Sequence, residues 1–208
     1  MRISLDGMVF RIKEQPEGTG PLILLHGWGG DADAMWLFEH SLPPARLTLS
    51  PQGPYTLPSG GYEWIQDGSS ALSVAEAFRA GAETLARFLE RMGAAHDFKA
   101  EDCLLLGFSQ GAALAFAAVQ LGLLRPGGLA ALAGFLPPGD DARLKDVPVF
   151  WAHGRHDDVI PFSQAQEGAL RLQMAGAALT FCESQTAHKV DRHCLKRLQA
   201  WAGEVFAA

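Results

Sequence analysis

The stretch Asp102-Cys103-Leu104-Leu105-Leu106-Gly107-Phe108-Ser109-Gln110-Gly111-Ala112-Ala113-Leu114-Ala115-Phe116-Ala117-Ala118 decides the fold. It opens with a short apolar run, Cys103 to Leu106, of the length of a buried strand. Gly107-Phe108-Ser109-Gln110-Gly111 follows, a G-x-S-x-G, and then an alanine-rich segment of high helix propensity reaching the Gly122 region. Strand, sharp turn with a serine at its apex, then helix is the context in which this pattern marks a candidate nucleophile. The flanking glycines admit close neighbouring chain where a Cβ would clash. Ser109 then stands at a helix N-terminus, whose N–H groups and dipole favour developing negative charge.

Working outward, similar apolar runs recur between helical patterns. Ile3-Leu5 and Met8-Ile12 flank Asp6-Gly7, a hairpin turn signal. Leu22-Leu25 is an unbroken run typical of a central parallel strand, and Leu47-Ser50, Gly128-Gly134, Val147-His153 and Ala178-Cys182 extend the series. Helices are predicted over Ala32-His40, Ala71-Met92, Phe162-Met174 (with a capping box from Ser163 to Gln166) and Lys189-Phe206. In Ala71-Met92 the apolar positions are Leu72, Val74, Ala75, Phe78, Ala82, Leu85, Phe88 and Leu89. Alternating strands and helices predict an α/β architecture, a doubly wound, mostly parallel sheet with helices on both faces. At 208 residues without repeat or linker, 1-208 reads as a single domain.

Composition narrows the function classes. A hydrophobic content of 48% and a charged content of 19% belong to a globular chain. The net charge of -6 without a basic run argues against nucleic acid as a partner. No run approaches a membrane span, and the first residues lack the apolar core of a signal peptide. Three cysteines (Cys103, Cys182, Cys194), odd in number and without a C-x-x-C pair, predict reduced thiols and a cytoplasmic location. Oligomeric state is left open, a homodimer included.

A serine nucleophile needs a base, and the base an orienting carboxylate. In a sheet of this class the order is serine, acid, histidine, each in a loop after a strand. After Val147-His153 comes Gly154-Arg155-His156-Asp157-Asp158-Val159-Ile160-Pro161, offering Asp157 and Asp158. After Ala178-Cys182 comes Glu183-Ser184-Gln185-Thr186-Ala187-His188, offering His188, with His193 the weaker rival inside the next helix. Either aspartate could also be a helix cap. His153, His156, Asp157 and Asp158 cluster, but their spacing fits no zinc motif, so no metal is expected. Gly27-x-Gly29-x-x-Ala32 fits a dinucleotide fingerprint, yet Leu47-Gln52 lacks the carboxylate that pattern needs, so no cofactor is expected either. The glycines instead suit a loop that aims a backbone N–H at an oxyanion beside Ser109. The long connection from Pro51 to Ser70 is of a length that is usually functional, and its aromatics favour an ordered loop lining a pocket, with Trp64 equally suited to packing down its own loop.

Four blocks together resemble the carboxylesterase/acyl-protein thioesterase-like (phospholipase/carboxylesterase) family of small serine α/β-hydrolases: Leu25-Gly30, Gly107-Gly111, His153-Pro161 and His188-Trp201. The resemblance implies Ser109 as nucleophile, Asp157 as acid and His188 as base, with the N–H groups of Trp28 and Gln110 as oxyanion hole. Many relatives carry Gly where this chain has Ala187. The activity implied is hydrolysis of short to medium acyl esters through an acyl-enzyme, with lysophospholipase or acyl-protein thioesterase as the alternative. A non-catalytic binding protein is the rival class. The connection Phe135 to Asp146 is too short for a cap domain. Trp28, Gly60-Trp64 and Phe135-Leu136 are therefore expected to wall an open groove, with Trp64, Tyr62, Phe135 and Leu136 as substrate contacts.

Overall fold

Leu22–Leu25 and Gly128–Leu132 are buried at every residue, as continuous apolar runs must be when a sheet is covered on both faces. The computed structural model describes residues 1–5, 7–65 and 74–206. In chain order the strands are β1 (Arg2–Leu5), β2 (Met8–Glu14), β3 (Leu22–Leu25), β4 (Leu47–Pro51), β5 (Tyr55–Thr56), β6 (Tyr62–Glu63), β7 (Leu104–Phe108), β8 (Gly128–Leu132), β9 (Pro148–Gly154) and β10 (Ala178–Ser184). Between and after them run α1 (Val74–His96), α2 (Gln110–Gln120), α3 (Phe162–Ala175) and α4 (Arg192–Phe206). An eight-stranded sheet is ordered β1-β2-β4-β3-β7-β8-β9-β10, and β5 and β6 form a separate hairpin. Neighbours from β4 to β10 are parallel; β1–β2 and β2–β4 are antiparallel.

Alternation along β3 shows how the layers form. Ile23 and Leu25 face a core made with α1, α2 and α3, whereas Leu22 and Leu24 face a second core closed by α4 and the Met35–Leu42 segment. Every residue of α2 is buried, and its alanines let it lie close on β7 and β8. The connection between β8 and β9 holds one 3-10 turn, Asp141–Leu144, and no cap domain. This is the doubly wound arrangement predicted above.

Local expectations fail where side chains from elsewhere intervene. Ala32-His40 is not an α-helix: Asp31 takes the N–H groups of Asp33 and Ala34, and only a 3-10 helix, Trp36–Ser41, follows. No capping box starts α3; its N-cap is Pro161 and Ser163 lies inside the helix. α4 starts at Arg192, with Asp191 Oδ1 accepting from the Cys194 N–H at 2.7 Å. In α1, Phe78, Ala82, Leu85, Phe88 and Leu89 are buried while Val74 is exposed; Ala71 and Leu72 lie outside the described residues, as does Asp6 of the β1–β2 turn. The reduced-thiol expectation is overturned for two cysteines. Cys182 and Cys194 form a disulfide, and Cys103 is the free thiol, its pKa pushed up to about 12 chiefly by burial. With that pair oxidised, the cysteines no longer point to a cytoplasmic location.

Candidate active site

Strand order reverses between β3 and β7: the chain steps from β3 to β4 on one side and from β7 to β8 on the other. In open α/β sheets, ligands bind in the crevice at the carboxyl ends of such strands. Ser109 sits there, between β7 and α2, with φ 52° and ψ -115°, a backbone region costly for a residue with a Cβ. Its surroundings impose that geometry. The Ser109 N–H donates to Leu132 O at 2.9 Å, and Ser109 O accepts from Ala112 and Ala113. A Cβ on Gly111 would lie 2.3 Å from Leu25 O, and one on Gly107 would lie 2.5 Å from the Ala112 nitrogen. Glycine at both places is therefore what lets the turn close.

The loop after β3 supplies the facing wall. Gly29 N–H donates to Tyr62 O at 3.0 Å and Tyr62 N–H to Gly30 O at 2.9 Å, stitching this loop to β6. Trp64 then ties both strand ends together. Its backbone N–H donates to the Gln110 side-chain oxygen, and its indole N–H to His26 O, each at 2.9 Å. His26 is buried, receives the Gly53 N–H at Nε2 (2.8 Å), and donates from Nδ1 to Gly27 O (2.7 Å). That assignment makes it the neutral tautomer, and burial lowers its pKa against the pull of Gly27 O and Asp31.

The residues of the expected pocket wall differ in exposure. Trp64 is 0% exposed, as the packed reading of that side chain requires. Leu136 is likewise buried, and Arg171, forked onto Asp141, holds the Leu136 and Pro137 carbonyls. Tyr62 and Phe135 keep partial exposure, and Trp28 stands 62% exposed at the tip of its loop.

On the other side of Ser109, the loop after β9 turns Asp157 inward and leaves Asp158 exposed. Asp157 Oδ1 accepts from the Val159 and Ile160 N–H groups, both at 2.9 Å, and Oδ2 lies 2.8 Å from His188 Nδ1. His153 Nε2, 2.9 Å from Ile160 O, is also 3.4 Å from Asp157 Oδ2. Burial pushes the Asp157 carboxyl up, but the Ile160 N–H, His188 and the Val159 N–H outweigh it and hold it below its ordinary range. Burial keeps His153 lowered despite Ile160 O and Asp157. The His188 ring packs edge-on against Phe108, the residue before Ser109, with centroids 5.1 Å apart. His193 is exposed on α4. Ala187 is absent from the left-handed residues, so the loop asks there for nothing that only glycine supplies.

A family model for phospholipase/carboxylesterase matches residues 9–202. The chain belongs to the phospholipase/carboxylesterase family. Over 108 residues it is 33% identical to a protein named a probable carboxylesterase from Oryza sativa subsp. japonica, a match covering 49% of this chain and 41% of the rice protein. The chain thus spans less than half the length of that relative. Over 172 residues it is 30% identical to a protein named acyl-protein thioesterase 1 from Yarrowia lipolytica, covering 73% of this chain and 75% of that one. Among solved structures, a Bacillus cereus carboxylesterase superposes with a TM-score of 0.86 at 20% identity, over 97% and 96% of the two chains, a likeness of fold.

Family membership leaves unexplained three features that the sequence did not disclose. Trp64 joins His26 to Gln110, His153 backs Asp157, and a disulfide brackets His188. The histidine ending an apolar strand was the one visible sign of the second. Cross-loop bonds at separations of 38 and 46 residues leave no periodicity to read. Among the described residues, no three or more His, Cys, Asp or Glu side chains are grouped to hold a metal ion, and no helix is long and apolar enough to cross a membrane. His153 and His156 are spent on Ile160 O and Gln185.

Proposed function

We propose that this chain is a serine carboxylic-ester hydrolase acting on short to medium acyl esters. The observation that carries the reading is the Asp157–His188 hydrogen bond on a ring packed against Phe108, one residue from the left-handed Ser109. Asp157 fixes the His188 tautomer with Nδ1–H bonded and Nε2 free to act as base. Ser109 loses its proton to His188 as its oxygen attacks the acyl carbon. The oxyanion that forms is met by the backbone N–H groups of Trp28 and Gln110. His188 returns the proton to the leaving alcohol, and water then repeats the sequence on the acyl-enzyme. The β8–β9 connection carries no cap domain, which suits an acyl chain carried on a bulky partner.

Thioesters break down through the same acyl-enzyme, and similarity to a protein named acyl-protein thioesterase supports that second reading. Hydrolysis of p-nitrophenyl acetate and butyrate by wild type and Ser109→Ala tests the serine mechanism. A chromophore burst in wild type and loss of activity in the variant are expected; equal rates would end the proposal. A chain-length series of oxygen and thio esters then separates the two substrate classes.

A further inference from the structure

The segment carrying His188 is enclosed by a covalent bond. Cys182 on β10 and Cys194 in the first turn of α4 are joined across twelve positions, with Cα atoms 5.8 Å apart and both side chains 0% exposed. His188 lies midway between them in sequence. The first half of the loop is well tied without the disulfide. Arg155 N–H donates to Ser184 O, His156 N–H to Thr186 O, and the Thr186 hydroxyl to Lys189 O. The second half is held by the His188–Asp157 bond, Val190 against the core, the Asp191 turn onto Cys194 and Leu195, and the packing of Cys194, Leu198, Trp201 and Ala202 with Phe150 and Ala152. The disulfide fastens the start of α4 to β10 where that packing begins.

We propose that the Cys182–Cys194 disulfide is a positioning clamp for His188, so that catalytic rate, beyond stability, depends on its redox state. The inference rests on the assignment of His188 as base. A closed loop has fewer conformations than an open one, which raises the share of molecules with His188 seated on Asp157. Misplacing a catalytic group by about 1 Å costs on the order of a hundredfold in rate. Reduction by a dithiol breaks the S–S bond and leaves two thiols, the dithiol giving two electrons and two protons and closing to its cyclic disulfide. Cys103 belongs to the core on the opposite side of the sheet, so it is not placed to exchange with the pair.

The test compares oxidised protein, dithiol-reduced protein and the C182A/C194A variant. Thiols are counted after denaturation: one in the oxidised form and three in the reduced form. A core variant away from the site, Leu85→Ala, serves as a destabilised comparator. The expected result is a kcat roughly ten- to a hundredfold lower in reduced and double-variant protein. KM should stay within about threefold, and reoxidation should restore the reduced sample. Amide exchange should accelerate over residues 185–191 while β7 and β8 stay protected. Unchanged kcat with three thiols counted overturns the clamp. So does a loss of kcat that tracks global unfolding, with exchange accelerating everywhere as in Leu85→Ala. If the base assignment itself is wrong, His188→Ala will keep the kcat of oxidised wild type, and the exchange result still shows whether the loop is clamped.

Discussion

The two walls of the site are held by different chemistry. On the β3 side, backbone groups are positioned by neutral hydrogen bonds: Gly29 and Gly30 to Tyr62, and Trp64 to both His26 and Gln110. On the β9–β10 side, side chains are positioned by a charged carboxylate, two N–H groups on its other oxygen, and a disulfide behind the histidine. Under the proposed mechanism the difference follows from what each wall must present. A backbone N–H needs only a fixed loop, whereas an imidazole must keep one tautomer while its other nitrogen gains and loses a proton. The carboxylate wall should therefore fail steeply when one atom changes, and the backbone wall gradually.

The largest expected effect tests the steep side. Asp157→Asn keeps the shape but removes the acceptor that fixes the His188 tautomer, and kcat should fall about 10³–10⁴-fold. Asp158→Asn, at an exposed position, should change kcat by less than about twofold. Steady-state kinetics on one p-nitrophenyl ester suffices, and the reverse ranking would move the acid role to Asp158.

Trp64→Phe tests the gradual side. The substitution leaves a small cavity where the indole's second ring was, and His26 O loses its donor in a fully buried place. A stability loss of about 1–3 kcal/mol is expected from the unsatisfied carbonyl. Loosening of the Gly27–Gly30 loop should lower kcat by about tenfold or less, with KM little changed. A large rise in KM at unchanged kcat would instead make Trp64 a substrate contact and undo the placement described here.

That contrast also marks what the chain discloses of itself. Runs such as Leu22–Leu25 and Leu104–Leu106 are legible because both faces of a central strand are buried, so one-dimensional hydrophobicity carries the three-dimensional fact. Gly107 and Gly111 are legible because the serine turn demands them. Ala32-His40 misleads because its helical spacing is overridden by the Asp31 side chain and by Arg2 and Arg11 drawn to Asp33 from another strand pair. The odd cysteine count misleads because parity cannot say which two of three thiols face one core and which faces the other. Between Asp157 and Asp158 the spacing alone is silent, and only the family resemblance points to Asp157. One faces inward and the other outward because of the turn that the Val159 and Ile160 N–H groups make around a single carboxylate.

The smallest effect separates the walls by pH. His26 on one wall and His153 on the other are both buried with lowered pKa values, chiefly by desolvation. In the unfolded chain each takes a proton near pH 6.5, while in the folded protein each holds off until a lower pH. Between those limits the unfolded state binds more protons, so stability falls as pH falls, by at most about 1.4 kcal/mol per pH unit for each histidine. Asp157 acts in a separate window. Its folded pKa is lowered, so its contribution is complete above the unfolded value near 3.9 and is lost as pH falls through the folded one. Urea unfolding at pH 7, 6 and 5 should therefore show a decline that His26→Gln and His153→Gln each flatten, while Asp157→Asn leaves that range unchanged and alters only the stability lost below about pH 4. A wild-type stability that is flat from pH 7 to 5 would mean that neither buried histidine resists protonation, and would remove the neutral His26 from the backbone wall.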